Sequence, residues 1–179
     1  TILDFCGIKP KARPVFRPGA NGDPPRRSGP DRPVTFHGRS FLKTLSQQRA
    51  KGFDEVFASH TFHEITNYYP YRALRSRKYK YIRNLYPELT TPLPSDLWSS
   101  KTWQAIEGEG LEMGDRSTQK FLHQDAEALF DVENDPSEGK NLIDEQSLQE
   151  GVDEMRMKVR TFRVDTKDPW VLASQQAGE

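Results

Sequence analysis

Near the end of the chain, Leu148, Val152, Met155, Val159 and Phe162 recur at alternating intervals of four and three. That spacing draws one apolar stripe along a helix, the face of which would bury against a sheet. Ser147 with Glu150 has capping-box spacing, Asp144 offers a competing N-cap, and the helix should end before Asp168-Pro169-Trp170. Upstream, residues 54–59, 71–75, 79–85 and 128–132 read as strands, with Ser76-Arg77-Lys78 as a hairpin connection between the middle two. Alternation in 79–85 places Tyr79, Tyr81, Arg83 and Leu85 on one face and Lys80, Ile82 and Asn84 on the other. Asn134-Asp135-Pro136 ends the last strand with a turn. The expected fold is α+β, a small antiparallel β-sheet of about four strands packed against a C-terminal helix.

The remaining segments are less patterned. Residues 1–8 form one or two helical turns ending at Gly7. From 9 to 33, seven prolines alternate with glycines, too densely for a helix or a central strand, so this is a long Pro/Gly-rich N-terminal loop. Residues 60–70 read as an aromatic strand-to-loop passage. The stretch 87–125 is polar and irregular, with Trp98 and Trp103 as anchors onto the sheet.

Composition narrows the function. Only 34% of the 179 residues are hydrophobic and the mean hydropathy is −0.83, yet aromatics at 11% are too many for a disordered chain. Lys+Arg and Asp+Glu both total 26, so net charge argues for neither nucleic acid nor a membrane surface. The charge is segregated: Arg72, Arg75, Arg77, Lys78, Lys80 and Arg83 form a basic block, while 107–154 is acid-rich. The block reads either as a solvated strand pair that discourages edge pairing or as an anion-binding wall with Arg72 best placed. No run approaches the ~18 apolar residues of a membrane span. Cys6, alone, excludes an internal disulfide and a cysteine-based zinc site, and reads as buried and inert. The chain opens on Thr1 in an apolar run, as the middle of a longer protein would.

The chemistry centres on Ser59-His60-Thr61-Phe62-His63-Glu64-Ile65-Thr66-Asn67-Tyr68-Tyr69-Pro70-Tyr71-Arg72. His60, His63 and Glu64 invite a metal reading, but His37 and His123 stand in unconnected loops and zinc needs three or four converging ligands. No Gly-x-Ser-x-Gly, Walker loop or His-Glu-x-x-His is present. The residues by themselves hold no assembled catalytic constellation.

The run from Phe62 to Arg72, with the strand pair ending Ile82-Arg83-Asn84-Leu85, resembles the sulfatases, most of all their sulfamidase branch. Three further segments agree in order. Residues 1–8 are similar to the family's TPTILDLAGI element, and His37-Gly38-Arg39-Ser40-Phe41-Leu42 to its GRSLLP turn. Leu129-Phe130-Asp131, Asp135-Pro136-Ser137-Glu138 and Asn141-Leu142 fit the pattern L-[YF]-D-x₃-D-P-x-E-x₂-N-L, and the close at Asp168-Pro169-Trp170-Val171 matches as well.

The resemblance implies a domain plan. Residues 1–8 end a preceding sulfatase domain, 9–52 are an insertion and connector, 53–172 form the C-terminal subdomain, and 173–179 are a tail. The family hydrolyses sulfate esters or sulfamates with a formylglycine made in a C/S-x-P-x-R motif and a calcium ion held by Asp and Asn, both in the N-terminal domain. Here Cys6 is followed by Gly7-Ile8-Lys9-Pro10, so neither group is expected in this chain and the chain alone should be inactive. His60, His63, Glu64 and Arg72 would then contact a sulfated sugar at the mouth of the active site, with Tyr68 and Tyr69 packing beneath. The implied partner is the N-terminal catalytic domain, whose absence should leave a sheet face exposed; full-length members are lysosomal or secreted. The insertion at 9–33 and Tyr71 beside the arginine depart from the family. The rival is a non-enzymatic anion-binding or scaffold module built on the basic hairpin 72–83.

Overall fold

The computed structural model describes residues 1–9, 16–17, 26–27, 36–64, 67–114 and 116–170, in two compact units, Thr1–Phe53 and Asp54–Glu179. In the first, helix α1 (Ile2–Phe5) ends where Gly7 turns to φ +65°, a conformation that costs a glycine nothing. Strands β1 (Phe16–Arg17) and β2 (Arg26–Arg27) pair antiparallel, at positions that carry no proline and so keep their N–H groups. The rest of the expected proline-rich loop lies outside the described residues, as does the expected tail at 173–179. A 3₁₀ turn at Leu42–Ser46 follows, and Ser40 Oγ donates to Asp4 Oδ2 at 2.7 Å, tying it back to α1. Cys6 is exposed rather than buried, because α1 buries none of its residues. Ile2, Leu3, Ile8, Phe36 and Phe41 surround an open cleft of about 850 Å³. Ile2, Phe5, Ile8, Phe36, Phe41 and Leu45 are exposed on this unit, while Val56 and Phe62 are exposed on the sheet of the second.

The second unit is built on strands β3 (Val56–His63), β4 (Asn67–Arg75) and β5 (Tyr79–Asn84). The β4–β5 turn lacks Asn-Gly, and Ser76 closes it: its Oγ accepts from Tyr79 N at 2.9 Å while its own N–H donates to Tyr79 O at 2.8 Å. The stretch expected to be irregular contains helices α2 (Ser95–Trp98) and α3 (Lys101–Glu109), the ribbon β6 (Glu112–Met113) and β7 (Arg116–Ser117), and helix α4 (Thr118–Leu122). The local chemistry was present in the serines: Ser100 Oγ caps Trp103 N, Ser117 Oγ caps Lys120 N, and Gly110 ends α3 at φ +65°. Trp103, expected to anchor onto the sheet, is fully buried with its ring 6.0 Å from that of Phe121, and Trp98 is 51% exposed.

Strand β8 (Glu127–Asp131) completes an antiparallel sheet of order β3-β4-β5-β8. A 3₁₀ turn at Gln146–Leu148 leads into helix α5 (Gln149–Asp165). Ser147 lies inside that turn, so neither it nor Asp144 caps the helix; Leu148 occupies the N-cap without a side-chain bond. The apolar stripe behaves as expected. Val152, Met155 and Val159 pack on Leu74, Tyr81 and Leu129, and Phe162 stacks on Phe57 at 4.5 Å. Each such side chain, fully buried, stabilises the sheet–helix pair by roughly 1.5–3 kcal/mol.

Candidate functional site

Residues 60–63 and 67–72 are strand rather than loop, for they form the distal half of the β3–β4 hairpin. Its irregular pattern has one cause. His60 pairs with Tyr71 and Phe62 with Tyr68, so one residue of β3 faces two of β4, Tyr69 and Pro70. Proline cannot donate to a ladder, and a bulge is where a central strand accommodates it. The bulge releases the Tyr69 carbonyl, which meets His60 Nδ1 at 2.9 Å. A carbonyl only accepts, so Nδ1 carries the hydrogen and Nε2 is the nitrogen left for a ligand. The ring lies against Tyr71, centroids 4.8 Å apart and nearly parallel.

His63 and Glu64 are exposed at the hairpin end, and Glu64 sits at φ +57°, a left-handed conformation uncommon outside glycine. Tyr69 is buried and accepts from Asn84 Nδ2 at 2.6 Å; burial pushes its hydroxyl pKa up. Tyr68 is half-buried, and its Oη accepts from Trp170 Nε1 at 2.6 Å.

Arg72 is placed differently from the other candidates. Its side chain is 4% exposed and forms a fork with Asp168, Nε to Oδ2 at 2.8 Å and Nη2 to Oδ1 at 3.0 Å. Nη1 donates to the carbonyls of His60 at 2.7 Å and Tyr71 at 2.8 Å. The guanidinium therefore pins the bulge to the segment after α5, where Arg163 also reaches Asp168 at 3.3 Å and donates to the Trp170 carbonyl at 2.9 Å. In this chain Arg72 braces the hairpin, while His60, His63 and Glu64 are the polar groups the hairpin presents.

The rest of the basic block is similarly engaged. Arg77 pairs with Asp54, Lys78 with Asp131, Lys80 with Glu138 and Arg83 with Glu127. Arg75 is exposed and makes no ion pair among the described residues. An anion-binding wall needs cations without internal partners, and this hairpin offers few. Nor does any group of three or more His, Cys, Asp or Glu side chains converge as a metal site among the described residues. The donor set fits neither a calcium ion nor, with Cys6 outside a C/S-x-P-x-R motif, a formylglycine.

The Asp-Pro-x-Glu-x-x-Asn-Leu segment is a connector between β8 and α5. Asp131 Oδ1 accepts from the Glu133 and Asn134 N–H groups, and Asp135 Oδ2 accepts from Lys140 N. Glu138, at φ +55°, pairs with both Lys80 and Arg116. Asn141 Oδ1 takes the N–H groups of Leu129 and Ile143, while its Nδ2 donates to the Glu127 carbonyl and the Asp125 carboxylate.

Two carboxylates contribute to the acid limit of this unit through their ion pairs. Burial pushes Asp168 up, but hydrogen bonds from Arg72 and the Trp170 N–H, with the charges of Arg72 and Arg163, outweigh it and hold the group below the ordinary aspartate range. Burial likewise opposes ionisation of Glu127, and bonds from Arg156 and Tyr81 with the charges of Arg156 and Arg83 overcome it. Both folded values are depressed, so the stability they contribute is complete above the ordinary values of about 4 and is lost as pH falls through the depressed ones. Urea unfolding midpoints should hold steady between about pH 5 and 7 and drop below about pH 4. Asp168→Asn should start lower and show a shallower acid slope; an unchanged slope would contradict the assignment.

The structure superposes on a 2-O GAG sulfatase with a TM-score of 0.50 and 18% identity, covering 95% of this chain and 24% of that one. A Bacteroides thetaiotaomicron protein assigned to the sulfatases gives 0.50 and 19%, with the same coverage. In sequence, the chain is 27% identical over 177 residues to N-sulphoglucosamine sulphohydrolase of Homo sapiens, covering 97% of this chain and 32% of that protein. No protein-family model matches. In fold the chain is similar to part of these sulfatase structures, and in sequence it spans about a third of the length of the curated relative it matches. Sequence reasoning missed Asp168 and Asn141 as organising side chains.

Proposed function

We propose that this chain forms the substrate-recognition wall of a sulfatase that hydrolyses a sulfated or N-sulfated sugar, and that it is catalytically incomplete by itself. The formylglycine and calcium of the reaction belong to a large N-terminal catalytic domain, which is the partner of this chain. The observation that carries the reading is the braced hairpin: Arg72, locked to Asp168, fixes the backbone at His60 and leaves its Nε2 for a ligand, with His63 and Glu64 exposed at the hairpin end. His60 Nε2 accepts from a sugar hydroxyl or amine. Glu64 would repel a sulfate, so it faces hydroxyl or amine groups of the sugar instead. These contacts orient the sugar, and binding energy remote from the reacting bond is how such a wall assists turnover.

The relative that acts on N-sulphoglucosamine supports a glucosamine-type substrate. The test is reconstitution: the chain is co-expressed with a sulfatase N-terminal half, and sulfamate and sulfate-ester hydrolysis are both assayed. Turnover should require both halves, and His60→Ala should lower kcat/KM by about tenfold or more, as loss of one polar contact in a site does. Turnover by this chain alone would overturn the proposal.

A further inference from the structure

Beside the polar groups of the hairpin lies a cluster of rings that the proposed function does not use. Tyr68 is its hub, with Phe62 at 5.3 Å, Tyr86 at 6.1 Å and Trp170 at 6.3 Å between centroids, all at tilted angles. Phe62 is 57% exposed and Tyr86 37%, although both stand next to a well-packed sheet. The cluster is held still from behind. Trp170 donates to Tyr68 Oη, Arg72 lies over the Trp170 ring at 5.5 Å, and Arg163 holds the Trp170 carbonyl. The cation within it, Arg72, is consumed by Asp168. An exposed, rigid set of aromatic faces with no available positive charge is suited to the C–H face of a neutral ring, not to an anion.

We propose that Phe62, Tyr68 and Tyr86 form a platform on which a pyranose ring of the substrate stacks, so that this chain reads the sugar and leaves the sulfate to the rest of the enzyme. The inference rests on the sugar-substrate reading and gives the hairpin a division of labour. His60, His63 and Glu64 meet hydroxyl groups at the edge of the ring while the aromatic side chains take its face. Because the contact is apolar, affinity is insensitive to salt and to the presence of sulfate.

The experiment uses the full 179-residue chain and two probes, an unsulfated glucosamine-containing tetrasaccharide and its N-sulfated counterpart. Binding is read by Trp fluorescence titration and by saturation transfer from the aromatic protons. Both probes should bind with affinities within about threefold of each other, and changing NaCl from about 50 to 500 mM should alter either by less than about twofold, since no ion pair is made. Phe62→Ala and Tyr86→Ala should each weaken binding by about five- to tenfold, and Phe62→Tyr should restore most of it. Both side chains are exposed, so the melting temperatures of these variants should stay near that of the parent, which separates lost stacking from lost folding. Preference for the sulfated probe by about tenfold or more, with steep salt dependence, would overturn the platform in favour of anion recognition. Failure of either sugar to bind would overturn it too. Reconstituted sulfatase turnover is scored independently, so the platform can fail while the function stands.

Discussion

Asp168→Ala is expected to lower the unfolding free energy of the second unit by about 3–5 kcal/mol, the usual cost of removing one partner from a buried ion pair. The Arg72 and Asp168 side chains are each 4% exposed, and the carboxylate accepts both arms of the fork while also drawing Arg163. Truncating it leaves the Arg72 guanidinium charged, because arginine does not release its proton, in a place from which water is excluded. Arg163, 7% exposed, loses the same counter-ion. The penalty is dominated by the stranded charge of Arg72 rather than by the attraction that held it. The double variant Arg72→Met with Asp168→Leu should therefore recover much of the loss, as apolar replacement of buried pairs often does. Thermal unfolding should show the single variant down by roughly 10–20 °C, given the scaling for a domain of this size. Equal losses in the single and double variants would mean that the pair is a minor contact and the brace lies elsewhere.

The same pair shows why the sequence disclosed one half of this molecule better than the other. The stripe from Leu148 to Phe162 and the alternation through Tyr79, Tyr81 and Arg83 are local, and periodicity alone places them on the buried sheet–helix interface. Arg72 and Asp168 are 96 positions apart, and nothing in the neighbourhood of either names the other. Arg72 looked available for an anion because a basic block is visible in sequence and its compensating acids are not. Asp54 precedes β3, Glu127 and Asp131 bound β8 and Glu138 follows it, and these acids reach the basic block only once the strands pair. The hairpin tip was hidden for a different reason. The extra residue at Tyr69-Pro70 breaks the period of two, and a proline argues against a central strand unless a bulge receives it. What marked the tip was its resemblance to a known family, which pointed to a site without showing how that site is held.

Asn141→Ala should be the second large loss, about 2–4 kcal/mol, because one amide serves four partners. Its Oδ1 receives the N–H of Leu129, a residue 2% exposed in the middle of the core, and the N–H of Ile143 on the way to α5. Deleting the side chain strands both donors and also frees the Glu127 carbonyl, although Asn141 is only half-buried and water can reach part of the gap. The loss should appear as a lower urea midpoint with an unchanged slope, since the unfolded chain exposes the same surface. Asn141→Asp separates acceptor from donor. It keeps the oxygens that Leu129 and Ile143 need, but it sets a carboxylate against Asp125, whose own group Lys120 holds at 2.8 Å and keeps below its usual range. Repulsion should make the aspartate variant as weak as alanine near neutral pH. Its deficit should then narrow as acid protonates the new carboxyl, whereas the alanine deficit stays constant. If both variants respond alike to acid, Asn141 acts through its shape. If only the aspartate recovers, the asparagine of this connector holds β8 to α5 by hydrogen bonding, and the connector is a structural joint rather than part of the site.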